Sequence, residues 1–313
     1  MSWLGLDIGG TTTQAVICDD DLAVVDQVSA PTPALRGGTA MLDCAQALAE
    51  RVRDRNPLVL IGAGVAAAGV LDPSSGRIVR ASDSFAGWEG TEVAARIAER
   101  LQLPTAADND VNCFLIGEVT GGSLQGVHHA VGITLGTGVG GALWSSGRIL
   151  HGRDGAAGEL GHLPGYGDEL CSCGQRGHLE TLASARSLLR RYRQRAGTAR
   201  SAATSAADVA SAAERGDTSA RQVLAEAGAA LGMTIVQVTR TLAADTVVIG
   251  GGVSGAWPFL RPSVQRVLDE HPPLFGPQAN VHVAPMSATA VAVGAAALSR
   301  LTFSSALPHP ATT

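Results

Sequence analysis

Apolar residues along this chain fall first into short runs broken by glycine-rich turns. Leu4 to Ile8 is one run, ending at Gly9-Gly10-Thr11-Thr12. Ala15 to Cys18 follows, then the polar turn Asp19-Asp20-Asp21, then Leu22 to Val28. The pattern predicts strand, glycine loop, strand, turn and strand. From Thr39 to Arg55 the apolar period lengthens to that of an amphipathic helix closed by Pro57, and Leu58 to Val65 reads as a buried strand. A second helix is expected over Glu89 to Leu101. The opening pattern then returns. VGITLGTGVGGALWSSGRIL, residues 131–150, repeats the layout of LGLDIGGTTTQAVICDDDLAVV, residues 4–25. This repetition points to duplicated halves, each with its own sheet. Helical sequence dominates from Leu179 to Leu242, except that the Ala/Ser-rich stretch from Ala196 to Ala213 reads as a loose surface connection. A strand from Thr246 runs into Gly250-Gly251-Gly252, Ala288 to Leu301 is expected to close the fold as a helix, and the tail SSALPHPATT is expected to be disordered.

Composition narrows the class. With 313 residues the chain can bury a large core, and 45% hydrophobic, 16% charged and 4% aromatic residues describe an Ala- and Gly-rich globular protein. A net charge of −5 offers no general attraction to nucleic acid or to an anionic membrane, so neither is expected as a partner. No apolar run approaches the roughly 18 residues of a membrane span, and the N-terminus lacks the basic start of a signal peptide. Cys18, Cys44 and Cys113 stand singly in apolar sequence, as small buried hydrophobes do. A disulfide framework is not expected, and the expected compartment is a reducing cytoplasm.

Three glycine loops follow apolar strands: Asp7-Ile8-Gly9-Gly10-Thr11-Thr12, Gly136-Thr137-Gly138-Val139-Gly140-Gly141 and Gly250-Gly251-Gly252. Glycine lets backbone N–H groups approach an anion, and threonine hydroxyls add donors. Three such loops in one chain suit a nucleotide held between two halves. None fits GxxxxGK[ST], and a strand rather than a helix is expected after Gly141, which argues against a Rossmann site. A carboxylate beside a phosphate cradle repels the phosphate unless a cation intervenes, so Asp7 is a candidate for holding Mg²⁺.

Two polar clusters remain. Asp108-Asn109-Asp110-Val111-Asn112 sits at a strand-to-helix junction, where an Asp can serve as N-cap. Glu159 and His162, three apart, share one face of a helical turn and suit neighbouring sugar hydroxyls. His162 also precedes Cys171-Ser-Cys173-Gly-Gln-Arg-Gly-His178. Two thiolates and two imidazoles, from Cys171, Cys173, His162 and His178, make a closed tetrahedral set, so the expected ion is structural Zn²⁺.

Together these motifs resemble the ROK family of bacterial sugar kinases and repressors, within the actin-like ATPase superfamily. The resemblance runs from Asp7-Ile-Gly-Gly-Thr11 through Gly250-Gly-Gly252. The family pattern C-x-C-G-x-x-G-C-x-E after E-x-G-H is met by Glu159-Leu-Gly-His162 and Cys171-Ser-Cys173-Gly-Gln-Arg-Gly177-His178-Leu-Glu180, with His178 in place of the third cysteine. The resemblance implies a two-domain α/β fold of actin-like ATPase type, ribonuclease H-like and duplicated, with a cleft between domains. The smaller domain is expected over residues 1–113, joined by the C-terminal helix 288–301. The larger, with the zinc loop, is expected over 114–287, and 302–313 is the disordered tail. It implies ATP-dependent phosphorylation of a sugar 6-hydroxyl with Asp110 as general base. Asn109, Glu159, His162 and Glu180 are then the hydroxyl-binding set. Asp7, Gly9, Gly10, Thr11, Thr12, Gly136, Thr137 and Gly138 form the two phosphate loops, and Gly251 and Gly252 contact the nucleoside. Homodimers or homotetramers are common in the family.

The family's repressors carry a helix-turn-helix of several dozen residues ahead of the first strand, which here begins at Trp3, so DNA binding is not expected. A glycosidase using Asp110 and Glu159 would leave three phosphate-type loops unexplained. A sugar sensor without catalysis stays open, as does the sugar itself. Family glucokinases carry Asn in an N-L-x-G-W-like segment where this chain has Ser84-Phe-Ala-Gly87-Trp88. The smaller Ser84 leaves room for a 2-acetamido group, which favours N-acetylglucosamine over glucose; N-acetylmannosamine is the other alternative. The small residues Ala66-Ala67-Ala68-Gly69 point the same way.

Overall fold

A computed structural model describes residues 1–81, 85–197, 203–285 and 288–304. Its contacts divide the chain into two units. The first comprises Met1–Gly126, the short segment His151–Ala157 and the C-terminal helix, and the second comprises Val127–Leu150 and the chain from Gly158 through the last strand.

In the first unit, strands β1 (Ser2–Ile8), β2 (Thr12–Cys18), β3 (Val24–Pro31) and β4 (Leu60–Ala67) form one sheet, β5 (Val70–Leu71) and β6 (Ile78–Arg80) pair as a short ribbon, and β7 (Thr105–Asn109) closes the sheet in the order β3-β2-β1-β4-β7. β1–β2 and β2–β3 are antiparallel, while β1–β4 and β4–β7 are parallel. Alternation along the strands decides both faces. Leu4, Leu6 and Ile8 of β1, with Ala63, Val65 and Ala67 of β4, join Met41, Leu42, Ala45 and Leu48 of α1 (Gly38–Asp54) and Ile97 of α2 (Val93–Leu101) in the main core. The opposite face carries Gly5, Gly64 and Ala66, against which α3 (Asp110–Thr120) and the C-terminal helix pack. A methyl added to Gly64 would lie 1.7 Å from the Ala295 carbonyl oxygen, so only glycine admits that helix.

The second unit repeats the plan. Strands β8 (His129–Leu135), β9 (Val139–Ser145), β10 (Arg148–Ile149), β11 (Thr246–Gly250) and β12 (Asn280–Val283) form a sheet in the order β10-β9-β8-β11-β12, again with the first three antiparallel and the β8–β11 and β11–β12 pairs parallel. The order matches the first sheet position for position. Helices α4 (Glu180–Ala183), α5 (Ala185–Ala196), α6 (Ala206–Glu214), α7 (Thr218–Leu242) and α8 (Trp257–Glu270) complete it, and α9 (Ala290–Phe303) is the C-terminal helix of the first unit. Gly228 and Gly232, one turn apart, let α7 lie directly on Leu260 and Val264 of α8.

The structure corrects the sequence reading at several places. The first unit continues past Cys113 to Gly126: α3 packs on α9 so closely that a methyl on Gly117 would stand 3.1 Å from the Gly294 Cα. The expected loose stretch 196–213 contains helix α6, whose N-terminus is closed by a reciprocal cap between Ser205 and Asp208. The second expected helix begins at Val93 rather than Glu89, and Thr302 and Phe303, read as tail, belong to α9. The remainder of the tail lies outside the described residues.

Candidate active site

In the first unit the candidate residues gather at the ends of β1 and β7. Asp7 lies on the β1 face that carries Gly5, opposite Leu6 and Ile8. Asp110 opens α3 on that same side, and the two carboxylates repel. Burial, with that repulsion added, pushes the Asp7 carboxyl from 3.8 up to about 7. The loop after β1 is a tight turn, with Gly9 N–H donating to the Thr12 carbonyl at 3.2 Å and Gly10, Thr11 and Thr12 exposed.

The junction between β7 and α3 is capped by Asn109, not by an Asp. The Asn109 carboxamide oxygen accepts from Val111 N–H at 2.8 Å and Asn112 N–H at 3.4 Å, and its amide donates to the Gly69 carbonyl at 2.9 Å. One amide N–H remains for a ligand. Asp108 has a different role. Its buried carboxylate accepts from Asn109 N–H and from the Asn112 amide on one oxygen, and from His151 Nε2 on the other, all at 2.7 Å. His151, half-buried, is raised above 6.5 by that bond. Indole Nε1 of the buried Trp88 donates to the Ala68 carbonyl at 2.9 Å, pinning the small-residue loop 66–69. Ser84 lies outside the described residues.

The second unit holds the other candidates. The turn bearing Glu159 and His162 sits directly on β9, where glycine replaces side chains on both surfaces. A methyl on Gly161 would stand 2.0 Å from the Val139 carbonyl oxygen, and one on Gly141 would stand 2.3 Å from that of Gly158. Leu160–His162 forms a single 3₁₀ turn, which places His162 Nδ1 2.8 Å from Glu159 Oε2. That bond raises the imidazole above 6.5 and leaves Nε2 as its free nitrogen.

His162, Cys171, Cys173 and His178 come together, one ligand atom from each lying within 4.8 Å of the others. Cys173 Sγ is 3.3 Å from His178 Nδ1, and His178 is 3% exposed. A tetrahedral zinc ion separates its sulfur and nitrogen ligands by about 3.3–3.8 Å, so the donor set fits the ion in chemistry and in scale. The carboxylate behind His162 is the partner a ligating imidazole requires. The histidine that replaces the family's third cysteine therefore stands within the cluster.

The two other glycine loops converge in this unit. Gly136 N–H donates to the Gly138 carbonyl at 2.9 Å, and a methyl on Gly251 would fall 2.5 Å from the Leu135 carbonyl oxygen, so the third loop abuts the second. Glu180 is buried beside them, with Oε2 accepting from Val139 N–H at 3.0 Å and Oε1 from the Ser172 hydroxyl at 2.7 Å.

Residues 3–301 match the sequence profile of the ROK family. The chain belongs to the ROK family. A glucokinase from Halalkalibacterium halodurans is 33% identical over 279 residues, 84% of this chain and 84% of its own length. An N-acetylmannosamine kinase from Citrobacter koseri is 30% identical over 277 residues, 88% of this chain and 91% of its own. The solved structure of a ROK family glucokinase from Streptomyces griseus, in complex with glucose and AMPPNP, matches with a TM-score of 0.82 at 27% identity, covering 96% of this chain and 100% of that one. The two like-ordered sheets of this ROK chain are those of the actin-like ATPase fold. No helix among the described residues is long and apolar enough to cross a membrane.

Sequence reasoning passed over His151, Ser172 and Arg186 of this ROK protein. His151 pairs with Asp108 across 43 positions, and nothing local to either residue announces the pair. Ser172 could have been noticed for its place between two cysteines. Arg186 donates to the Thr137 carbonyl at 3.3 Å from a helix with no motif of its own.

Proposed function

We propose that this chain is an ATP-dependent sugar kinase that phosphorylates the 6-hydroxyl of a hexose-type sugar. The observation that carries the reading is the pair Asp7 and Asp110, two repelling carboxylates beside a glycine-threonine turn, in a chain that holds two further glycine loops. Asp110 is the general base and accepts the hydroxyl proton on its carboxylate as the sugar oxygen attacks the terminal phosphoryl group. Asp7 would hold Mg²⁺, whose charge offsets that of the phosphates when it is bound. Repulsion between the two carboxylates is the observation that fits a cation there.

The remaining amide N–H of Asn109 and the free Oε1 of Glu159 orient the sugar hydroxyls. His162 belongs to the metal cluster and is oriented by Glu159. Glu180, placed in the hydroxyl set by the resemblance, accepts from Val139 N–H on one oxygen and from Ser172 on the other, and keeps a further lone pair on each for a sugar hydroxyl. His162, Cys171, Cys173 and His178 would hold a structural zinc ion that fixes the loop following Glu159. ATP is the phosphoryl donor, and AMPPNP in the S. griseus glucokinase supports that choice. Among sugars, N-acetylglucosamine is the first candidate, since the small Ser84 supports a 2-acetamido sugar over glucose. Glucose and N-acetylmannosamine follow, on the names of relatives.

The test is ADP release from Mg-ATP with each of these sugars and with none, compared by kcat/KM. Sugar-dependent release that falls about 10²- to 10⁴-fold in Asp110→Asn, with sugar binding kept, is the expected result. Normal turnover by that variant removes the base assignment. Silence of the native protein on every sugar favours a sensor.

A further inference from the structure

Asp108 stands one residue before the capping Asn109 and two before Asp110, the base of the kinase reading. Donors from two sources meet its buried carboxylate. On one oxygen are the Asn109 N–H and the Asn112 amide, both from the start of α3. On the other is His151 Nε2, from 43 positions away. The terminal torsion of an Asp side chain is broad, so donors on one oxygen alone leave the carboxylate plane free to swing. A donor on the second oxygen fixes the plane, and with it the direction in which the first meets Asn109 and Asn112. Asn109 caps this turn and rests its side-chain amide on the Gly69 carbonyl at 2.9 Å. Asp110 lies in the chain between the two residues so held.

His151 is itself presented firmly. Its carbonyl accepts from Ala157 N–H at 3.1 Å, which closes residues 151–157 into a turn. Gly155 of that turn sits so close to β5 that a methyl on it would stand 2.0 Å from the Leu71 carbonyl oxygen. The turn, β7 and α3 all belong to the first unit. Cys113, buried in the first turn of α3, shows how much charge gathers at the junction. Burial pushes its thiol up, and Asp108, Asp110 and Asp7 push it further. His151 brings a donor, and when protonated a positive charge, to the first of these carboxylates.

We infer, resting on the kinase reading of this site, that His151 is a positioning residue for the phosphoryl transfer. Through Asp108 it fixes the first turn of α3, so that the Asn109 amide meets the sugar and Asp110 meets the hydroxyl proton in one geometry. A displacement of about 1 Å in such groups can cost 10²-fold in rate. The network leads to the sugar side of the reaction, and the nucleotide should not feel its loss.

The experiment is steady-state kinetics with the sugar that the native protein turns over best, varying sugar and Mg-ATP separately. Three variants separate the bond from the bulk of the ring. His151→Ala removes the ring, His151→Phe keeps a ring without the N–H, and His151→Gln offers an amide N–H at a similar reach. His151→Ala and His151→Phe should raise KM for the sugar and lower kcat, with kcat/KM for the sugar down about 10- to 100-fold. KM for Mg-ATP should stay at the native value, and His151→Gln should recover most of the loss. Imidazole in the buffer should restore part of it to His151→Ala, since the side chain is 28% exposed and its site opens to water. A variant that is merely unstable loses active enzyme, which lowers kcat and moves neither KM. Native kinetics in His151→Phe overturn the inference, whether or not His151→Ala folds. So does a loss in His151→Phe that is confined to kcat or to KM for Mg-ATP and that His151→Gln shares. A native protein that turns over no sugar instead removes the kinase reading on which it stands.

Discussion

Burial of Asp7, with repulsion from Asp110 added, is a liability in the free protein. The Asp7 carboxyl titrates near 7 in the folded chain and at 3.8 when unfolded. Between those values the folded state binds the extra proton, so stability falls as pH rises from about 4 to 7, and the whole cost is present above 7. Asp7→Asn removes the charge at constant shape. Its melting temperature should equal that of the native protein at about pH 4 and exceed it by several degrees at about pH 8, while kinase activity is lost. Equal melting temperatures at both pH values would show that the carboxylate is already neutralised. His178 offers a second test. Histidine and cysteine are both zinc ligands, so His178→Cys should retain the ion and His178→Ala should lose it, as read by metal content. The sequence showed the cluster because its ligands are near one another in the chain. The Asp108–His151 pair needed the fold to bring β7 and residue 151 together.

Helix α6 shows what local pattern leaves out. Its run of alanine and serine carries little hydrophobic signal, yet Val209, Ala212 and Ala213 are buried, and Arg193 of α5 ties the segment by donating to the Ala203 carbonyl. The cap is worth about 1 kcal/mol, so Ser205→Ala should lower stability by that amount in denaturant unfolding. Strands were legible for the opposite reason: their runs are apolar, β-branched and bounded by glycine. The close approach of α9 to β1 and β4 leaves no mark beyond glycines that look like turn residues. Gly294→Ala would put a methyl 1.8 Å from the Cys113 carbonyl oxygen and should destabilise by more than about 2 kcal/mol. A methyl at Gly252 meets nothing within 4 Å, so Gly252→Ala should change stability by less than about 0.5 kcal/mol.

At the scale of the molecule, a second sheet built like the first was foreseen from the recurrence of one pattern after more than a hundred residues, and its matching strand order is a finding of the structure. The segment His151–Ala157 was not. It belongs by its contacts to the first unit although both its chain neighbours belong to the second. His151 on Asp108 fixes one end of it, and Gly155 fixes the other, since a methyl there would lie 2.0 Å from the Leu71 carbonyl oxygen. All four cluster residues belong to the second unit. Chelation should therefore lower one calorimetric transition by at least about 5 °C and leave the other in place. A single transition that moves as a whole would mean that the two units unfold together.

The cover of β1 and β4 by α9 also has a consequence for synthesis. The first sheet is complete by Asn109, but the face that carries Gly5, Gly64 and Ala66 is covered only in part, by α3, until residues 290–303 emerge. At about 5–20 residues per second, the ribosome takes roughly 10–40 s to add that last helix. Meanwhile the second unit, later in the chain, has all of its strands. The half made first is finished last, and until then part of its sheet lacks its covering helix.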